Sequence, residues 1–361
     1  MKALFAIETF KHLPITGFAL YRNGTLTGTD LEAWVEQPVA IEGLPDNVLV
    51  KRDWLKAVIA ATGPTLRYHD GSINGATLPV VDMTAAEFPM PTAHAGHDIT
   101  FSGHLKADAL KGVARAAGDQ DVRYYLNGVF IDAEHKSLVA SDGHRMHVLR
   151  DIEMITAHPI QKQLFTGQHR HQNPGRDGCI IPIAAVKLVL ACSHSANDAI
   201  DFSYSANAKF ITMKCGSTTV RSKTIDGQFP DWPRFVPVEA LGVQSVPTEI
   251  TELKGVTLDT AAATKAIVSH MKIGKATESG KRNDYYKHIK FMNRRLNGMA
   301  NTATDSVVVT GIECIGLNGE YVLDAFKFLD ASAVHFSATD AVSSIVSCLG
   351  QKIVVIVPLR V

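Results

Sequence analysis

The sequence predicts an α+β protein built from repeated modules, each an antiparallel sheet with one or two helices on one face. Three observations carry this. Short alternating apolar runs recur along the chain: FALYRN (18–23), TLRYHD (65–70), GVFIDA (128–133), DFSYSA (201–206), KFITMKC (209–215), TTVRSKTI (218–225) and SVVVTGI (306–312). Their period of two is that of half-buried strands. Between them lie a few stretches with helical spacing, at 51–61, 105–117, 183–192, 258–271 and 320–329. In the second of these Leu110, Val113 and Ala117 form an apolar stripe, while Lys111 and Arg115 sit four apart. Strands with few helices describe a sheet covered on one face.

The third observation is punctuation. EFPMPTAHAGHD (87–98) and GQFPDWPRFVPVE (227–239) each carry Phe-Pro followed by further prolines. Proline cannot donate to a sheet ladder and holds its predecessor extended, so both read as strand exits into linkers. IVVIVPLRV (353–361) marks a third such strand. The expected blocks are 1–95, 96–238 and 239–361. Two of them share a pattern: GTLTGTDLEAWV (24–35) and KSLVASDGHRMHVL (136–149) both run from Leu through small residues to Asp. Asp30 and Asp142 thus stand a domain's length apart, as a repeated unit requires. The third block offers DSVVVTGIECIG (305–316), a poor match.

Bulk numbers narrow the function classes. At 361 residues, two or three domains are expected. Apolar residues make up 46% and charged residues 20%, the balance of a globular protein. Lys+Arg and Asp+Glu both number 36, so any nucleic-acid contact must come from a local basic surface. Five scattered cysteines without a CxxC pair suggest reduced thiols and a cytoplasmic setting. No run approaches the ~18 apolar residues of a membrane span, and MKALFAIETFKH is a poor signal peptide.

DGHRM (142–146) places an acid, a glycine, a histidine and an arginine in one turn between apolar runs. Asp-Gly is a turn pair, and no nucleophile context such as GxSxG accompanies it. It reads as a display site rather than a catalytic dyad, and no catalytic residue is expected. His169 and His171 with Cys179 give at most three ligands in a Gly/Pro-rich loop, so neither a metal nor another cofactor is expected. A metal hydrolase built on His144, His169 and His171 is the remote alternative. QKQLF (161–165) is read as a chance pentapeptide, though it would permit self-inhibition of a peptide cleft. The basic segment 274–295 is read as a flexible loop leading into a strand.

Six ordered segments together resemble the bacterial DNA polymerase III sliding clamp (β subunit) family. They are LPITG with GTLTGTDLE (13–17, 24–32), DQDVRYYLNGVFIDAEHKSLVASDGHRM (119–146), VRSKTIDGQFPDWPRFVP (220–237), NGEYVLDAFKFL (318–329), TDAVSSIV (339–346) and VPLRV (357–361). The resemblance implies three similar domains per chain and a head-to-tail homodimeric ring. Antiparallel sheets would lie outside, helices would line a central channel around duplex DNA, and there would be no catalysis. It implies partners that carry a Gln-Leu-x-Leu-Phe-like peptide: a polymerase, a clamp loader and other replication or repair proteins.

Carried over by position, the peptide cleft between the second and third domains would use Leu126, Ser141, Gly143, His144, Arg145 and Met146. It would add Pro230, Arg234 and Phe235, then Val342 and Ser344, and finally Val355, Ile356, Val357, Pro358, Leu359 and Arg360. Arg145 and Arg234 would hold the ligand's carbonyls or glutamine. DNA phosphates would meet Lys11, Lys51, Arg52, Gln120, Arg123, Tyr124 and Tyr125, loosely and without base reading. The dimer interface would use Ile267 and Val268.

Two departures from the family are visible. FPDWPRF brings Trp232, Pro233 and Phe235 where smaller or more flexible residues are usual, which alters the cleft. Twelve residues precede Leu13, too few for a full strand and long helix at ~1.5 and ~3.3 Å per residue, so the first domain is expected to lack one channel helix. That shortening leaves a second reading open: a clamp-like decoy or regulator that binds the peptides without encircling DNA.

Overall fold

The computed structural model describes residues 1–91, 99–156, 178–236, 254–277, 287–292, 295–297, 302–303 and 307–359. Two units form. One joins Met1–Lys111 to Ile152–Asp226, the other joins Gly112–Asp151 to Gly227–Val361. Each therefore combines stretches from two of the three sequence blocks.

The first unit is organised by one antiparallel sheet. Its strands run in the order Glu153–Thr156, Phe101–Lys106, Ala199–Ser205, Phe210–Cys215, Thr218–Lys223, Ala33–Pro38, Thr25–Thr29, Phe18–Arg22 and Val48–Lys51. Strand Phe210–Cys215 alternates half-buried or exposed positions with buried Ile211, Met213 and Cys215, as its sequence period requires. The helices are α1 (Lys2–Ala6), α2 (Arg52–Thr62), α3 (Ala107–Ala114), which runs across the division into the second unit, and α4 (Ile183–Cys192). Helix α1 lies against α4 and α2. A small second sheet (Ile41–Glu42, Leu66–His69, Ser72–Ile73, Ala76–Thr77) completes the unit.

Arg52, expected to meet DNA, is instead a structural residue. Its side chain is buried and donates to the carbonyls of Leu4 (2.8 Å), Ile7 (3.0 Å) and Thr16, and to Thr9 Oγ1 (3.0 Å). The carbonyls at the end of α1 have no partners within so short a helix, and a guanidinium with five donors satisfies several at once. No donor surface remains for phosphate.

In the second unit the main sheet runs Gly128–Asp132, Ser137–Ser141, Arg145–Leu149, Lys352–Ile356, Ile345–Leu349, Ala333–Ser337, Gly255–Asp259 and Val307–Thr310, all antiparallel. Helices α5 (Thr260–Thr277) and α6 (Gly319–Leu329) belong to this unit. Ile267 of α5 is fully buried, packed where α6 begins: a Cβ on Gly319 would stand 3.0 Å from its Cγ2. The expectation that Ile267 serves an interface with another chain is corrected, since it has no surface to offer; Val268 is half-buried.

One turn is built the same way in both units. Asp30 Oδ1 accepts from the amides of Glu32 and Ala33, and Thr29 Oγ1 donates to the Ala33 carbonyl. Asp142 Oδ1 accepts from His144 and Arg145, and Ser141 Oγ donates to the Arg145 carbonyl. The aspartate half recurs at Asp340, which accepts from Val342 and Ser343. The third instance is therefore TDAVS (339–343), not the 305–316 stretch the sequence suggested.

Among the described residues no helix is long and apolar enough to cross a membrane.

Candidate functional site

The second unit holds an apolar cavity of about 230 Å³. Five pieces of chain build it, one of them Ser344 just before strand Ile345–Leu349. The hairpin of Ser137–Ser141 and Arg145–Leu149 presents the 142–144 turn. Strand Lys352–Ile356 pairs with the second hairpin strand, setting Met146 opposite Val355. The Val357 amide donates to the His144 carbonyl (2.8 Å), which carries the chain past the turn. Two 3-10 turns, Tyr124–Leu126 and Trp232–Phe235, supply the remaining wall.

Of the predicted cleft residues, Leu126, Ser141, Gly143, His144, Arg145, Met146, Pro230, Phe235, Ser344, Val355 and Val357 all line this cavity. Others stand apart. Ile356 is wholly buried in the sheet opposite Arg145. Arg234 is exposed and paired with Asp231 at 2.5 Å. Val342 is exposed, Pro358 is half-buried and the Leu359 amide donates to Gly316. Arg360 lies outside the described residues, as do QKQLF, His169 and His171 and half of 274–295; the start of that segment, expected as a loop, is the end of α5, and a strand follows at His288–Met292.

The electrostatics around the turn are closed pairs. Arg123 grips Asp121 with Nε (3.0 Å) and Nη2 (2.7 Å), and Nη2 also donates to the Asp142 carbonyl (2.9 Å). These bonds hold the Asp121 carboxyl down to about 2. Gly143 has φ of +84°, and a Cβ there would stand 2.4 Å from the Arg123 guanidinium. Only glycine fits both the backbone and the neighbour.

Arg145 donates to Asp142 (3.0 Å) and to Asp324 of α6 (2.7 Å), and its guanidinium lies 4.4 Å over the Tyr321 ring. Burial pushes the Asp324 carboxyl up, but Arg145, Lys327 and Arg115 outweigh it and bring the group below its ordinary value. Arg145 was expected to hold the ligand. Its donors are instead engaged by two carboxylates, so it positions the turn.

Arg123 and Tyr125, expected at DNA, belong to the cavity wall. Lys11, Lys51, Gln120 and Tyr124 are exposed. Sequence reasoning did not name Phe229 for the cleft and named Trp232 only as a residue that alters it; both line it. Phe229 stacks on Phe130 with centroids 5.0 Å apart. Trp232 is buried and donates from Nε1 to Asp132 Oδ2 (2.8 Å), while His135 binds the same carboxylate through its amide (3.0 Å) and Nδ1 (2.9 Å). The signal was available: an aspartate closing the apolar strand GVFID needs buried donors.

Among the described residues no group of three His, Cys, Asp or Glu could hold a metal ion. Burial pushes the Cys179 thiol far up, away from the thiolate that a metal requires.

Comparison with known proteins gives one consistent result. Residues 102–231 match the model for the central domain of the DNA polymerase III beta subunit. The beta sliding clamp of Escherichia coli K12 is 26% identical over 92% of this chain and 88% of its own length. That of Proteus mirabilis is 29% identical with the same coverage. Among solved structures, the sliding clamp of Bartonella birtlesii bound to griselimycin superposes with a TM-score of 0.73 at 21% identity, covering all of this chain and 97% of that one. The Helicobacter pylori beta clamp bound to a DNA ligase peptide gives 0.69 at 17% identity, covering 99% and 96%.

Proposed function

We propose that the chain is a member of the bacterial beta sliding clamp family and, on that premise, a processivity factor which encircles duplex DNA and tethers replication and repair proteins. On this reading two chains close head to tail into a ring of six domains, with divisions near residues 95 and 238. Soluble cytoplasmic action without catalysis or cofactor follows from the role. The observation that supports it is the cavity of the second unit, where eleven residues named from the family's peptide cleft share one lining. Its partners would be the polymerase III catalytic subunit, a clamp loader and other proteins with Gln-Leu-x-Leu-Phe-like segments. Apolar anchors in a concave site, fixed by a few polar groups, suit such a peptide.

DNA contact on this reading is made by Lys11, Lys51, Gln120 and Tyr124, which are exposed, with Arg52, Arg123 and Tyr125 removed from the set. Loose phosphate contacts let a ring slide. The relatives cited above are named as clamps, and none of them favours a decoy.

The test is sedimentation of the 39.1 kDa chain across concentration, followed by loading onto nicked circular DNA. The expected result is a species of about twice the monomer mass that stays on the circle at high salt and leaves when the DNA is cut. A chain that stays monomeric at micromolar concentration, or that leaves circular and linear DNA equally fast, overturns the ring.

A further inference from the structure

The order of elements along the chain repeats three times, and the first round lacks one strand. From Phe101 the chain runs strand, helix, five strands, helix, three strands, and from Gly255 it runs the same way. The first round has both helices and the other strands, but among the described residues no strand leads into α1. Sheet pairing shows what that strand does elsewhere. Phe101–Lys106 lies between Glu153–Thr156 and Ala199–Ser205, antiparallel to both, with Gly103 opposite Met154 on one side and Phe202 on the other. Gly255–Asp259 lies in the same way between Val307–Thr310 and Ala333–Ser337, with Val256 opposite Val309 and Phe336.

A strand antiparallel to both flanks leaves those flanks parallel to each other. In the small sheet of the first unit the two flanks meet directly, and they meet in parallel: Ile41 stands opposite Leu66 and Glu42 opposite Arg67. The closure is short. Ile41 and Leu66 are buried, but Glu42 and Arg67 pair at 3.0 Å with both side chains largely exposed. Gly43, with φ of +83°, ends the short strand, and a Cβ there would stand 2.8 Å from the Tyr68 carbonyl oxygen. Backbone touches backbone where the other two rounds hold a strand at ~4.8 Å from each flank.

We propose that the seam between Ile41–Glu42 and Leu66–His69 is a strand-acceptor site: it opens to take an extended segment of another polypeptide, antiparallel to both flanks. The occupant's chemistry follows from the two strands that fill this place elsewhere, of six and five residues. Each alternates apolar residues on the core side with polar ones. Phe101 and Leu105 are buried, as are Val256 and Leu258, while His104, Lys106 and Asp259 are exposed. The partner therefore offers an alternating, amphipathic segment of that length without proline. Opening breaks a parallel ladder of two residue pairs, and insertion makes an antiparallel one on each side, the more stable pairing. Ile41 and Leu66 stay in the core with an apolar residue of the partner between them, as Val256 stands between Val309 and Phe336. The site is independent of the peptide cavity in the second unit.

The probe is a fluorescein-labelled peptide copying residues 100–107, followed by anisotropy, with the same peptide carrying Gly103→Pro as control because proline breaks a ladder. The full-length chain is compared with its double variant Glu42→Cys/Arg67→Cys. The two new thiols stand opposite each other across the seam and lock it when oxidised. Both replaced side chains are exposed, so the variant folds. The probe should bind wild type and the reduced variant alike. Oxidising the variant, or placing proline in the peptide, should each weaken binding about tenfold or more, while the same oxidant leaves wild type unchanged. On binding, amide hydrogen exchange should slow at 41–44 and 66–69. A probe that does not bind wild type at millimolar concentration, that binds the oxidised and reduced variant equally, or that protects only amides elsewhere overturns the proposal.

Discussion

Replacing His147 by Asn should remove about 2 kcal/mol of the acid sensitivity of folding. His147 is wholly buried beside the cavity, donates from Nδ1 to the Gly112 carbonyl (2.8 Å) and stacks on Phe328 at 4.8 Å. Its Nε2 has no partner among the described residues. Burial pulls its pKa from 6.5 to about 4, with the Gly112 bond opposing and Arg145 adding to the fall. Because the folded value is depressed, the unfolded chain takes up the proton first as pH drops. Stability is therefore complete above about 6.5 and is lost as pH falls from there towards 4. Between pH 7.5 and pH 5 the loss works out to about 2 kcal/mol. Asn keeps a donor for Gly112 but does not titrate. Urea unfolding followed by circular dichroism, at both pH values for both proteins, gives the difference directly. Equal pH dependence in wild type and His147→Asn would refute the reasoning, since every other titrating group is common to the two.

Three further outcomes follow from the geometry. Gly143→Ala should weaken peptide binding at least tenfold by calorimetry, because a left-handed backbone costs a side chain about 1–2 kcal/mol and its Cβ collides with Arg123. Gly24→Ala, equally left-handed but with open space around it, should leave binding unchanged. Arg52→Met should lower stability by about 3 kcal/mol or more in a denaturant titration, by orphaning the carbonyls of Leu4, Ile7 and Thr16. Asp324→Ala should loosen Arg145 and cut peptide affinity about tenfold, with the off-rate rather than the on-rate changing in surface plasmon resonance.

Sequence pattern reached the strands and helices well, because period two and period 3.6 report burial directly. Helices α2, α4 and α6 fall within a residue or two of the stretches read from spacing. The turn of DGHRM and the apolar strand that follows it were also legible, since Asp-Gly and alternation are local signals. Side-chain partners were not. Lys51 and Arg52 look alike in sequence, yet one is exposed and the other is buried against the carbonyls of α1. Arg145 is set by Asp324, 179 positions away, and Trp232 by Asp132, 100 positions away. No local rule places those carboxylates. The same holds for Ile267, whose helix shows several apolar positions and whose burial is decided by α6.

The main sheet of the first unit has a consequence for how the chain is made. Its strand Ala33–Pro38 pairs with Thr218–Lys223, with Glu36 opposite Thr219, so the partner leaves the ribosome roughly 180 residues later. At about 5–20 residues per second that is a wait of roughly 10–40 s. During it the strand Ala33–Pro38 lacks the partner that covers one flank of its backbone amides and carbonyls in the finished sheet. Glu36 stands on that flank, later to meet Arg221 at 3.3 Å. A charge on an open strand discourages pairing with a stranger. The residue that welcomes the late strand also guards its place until it arrives.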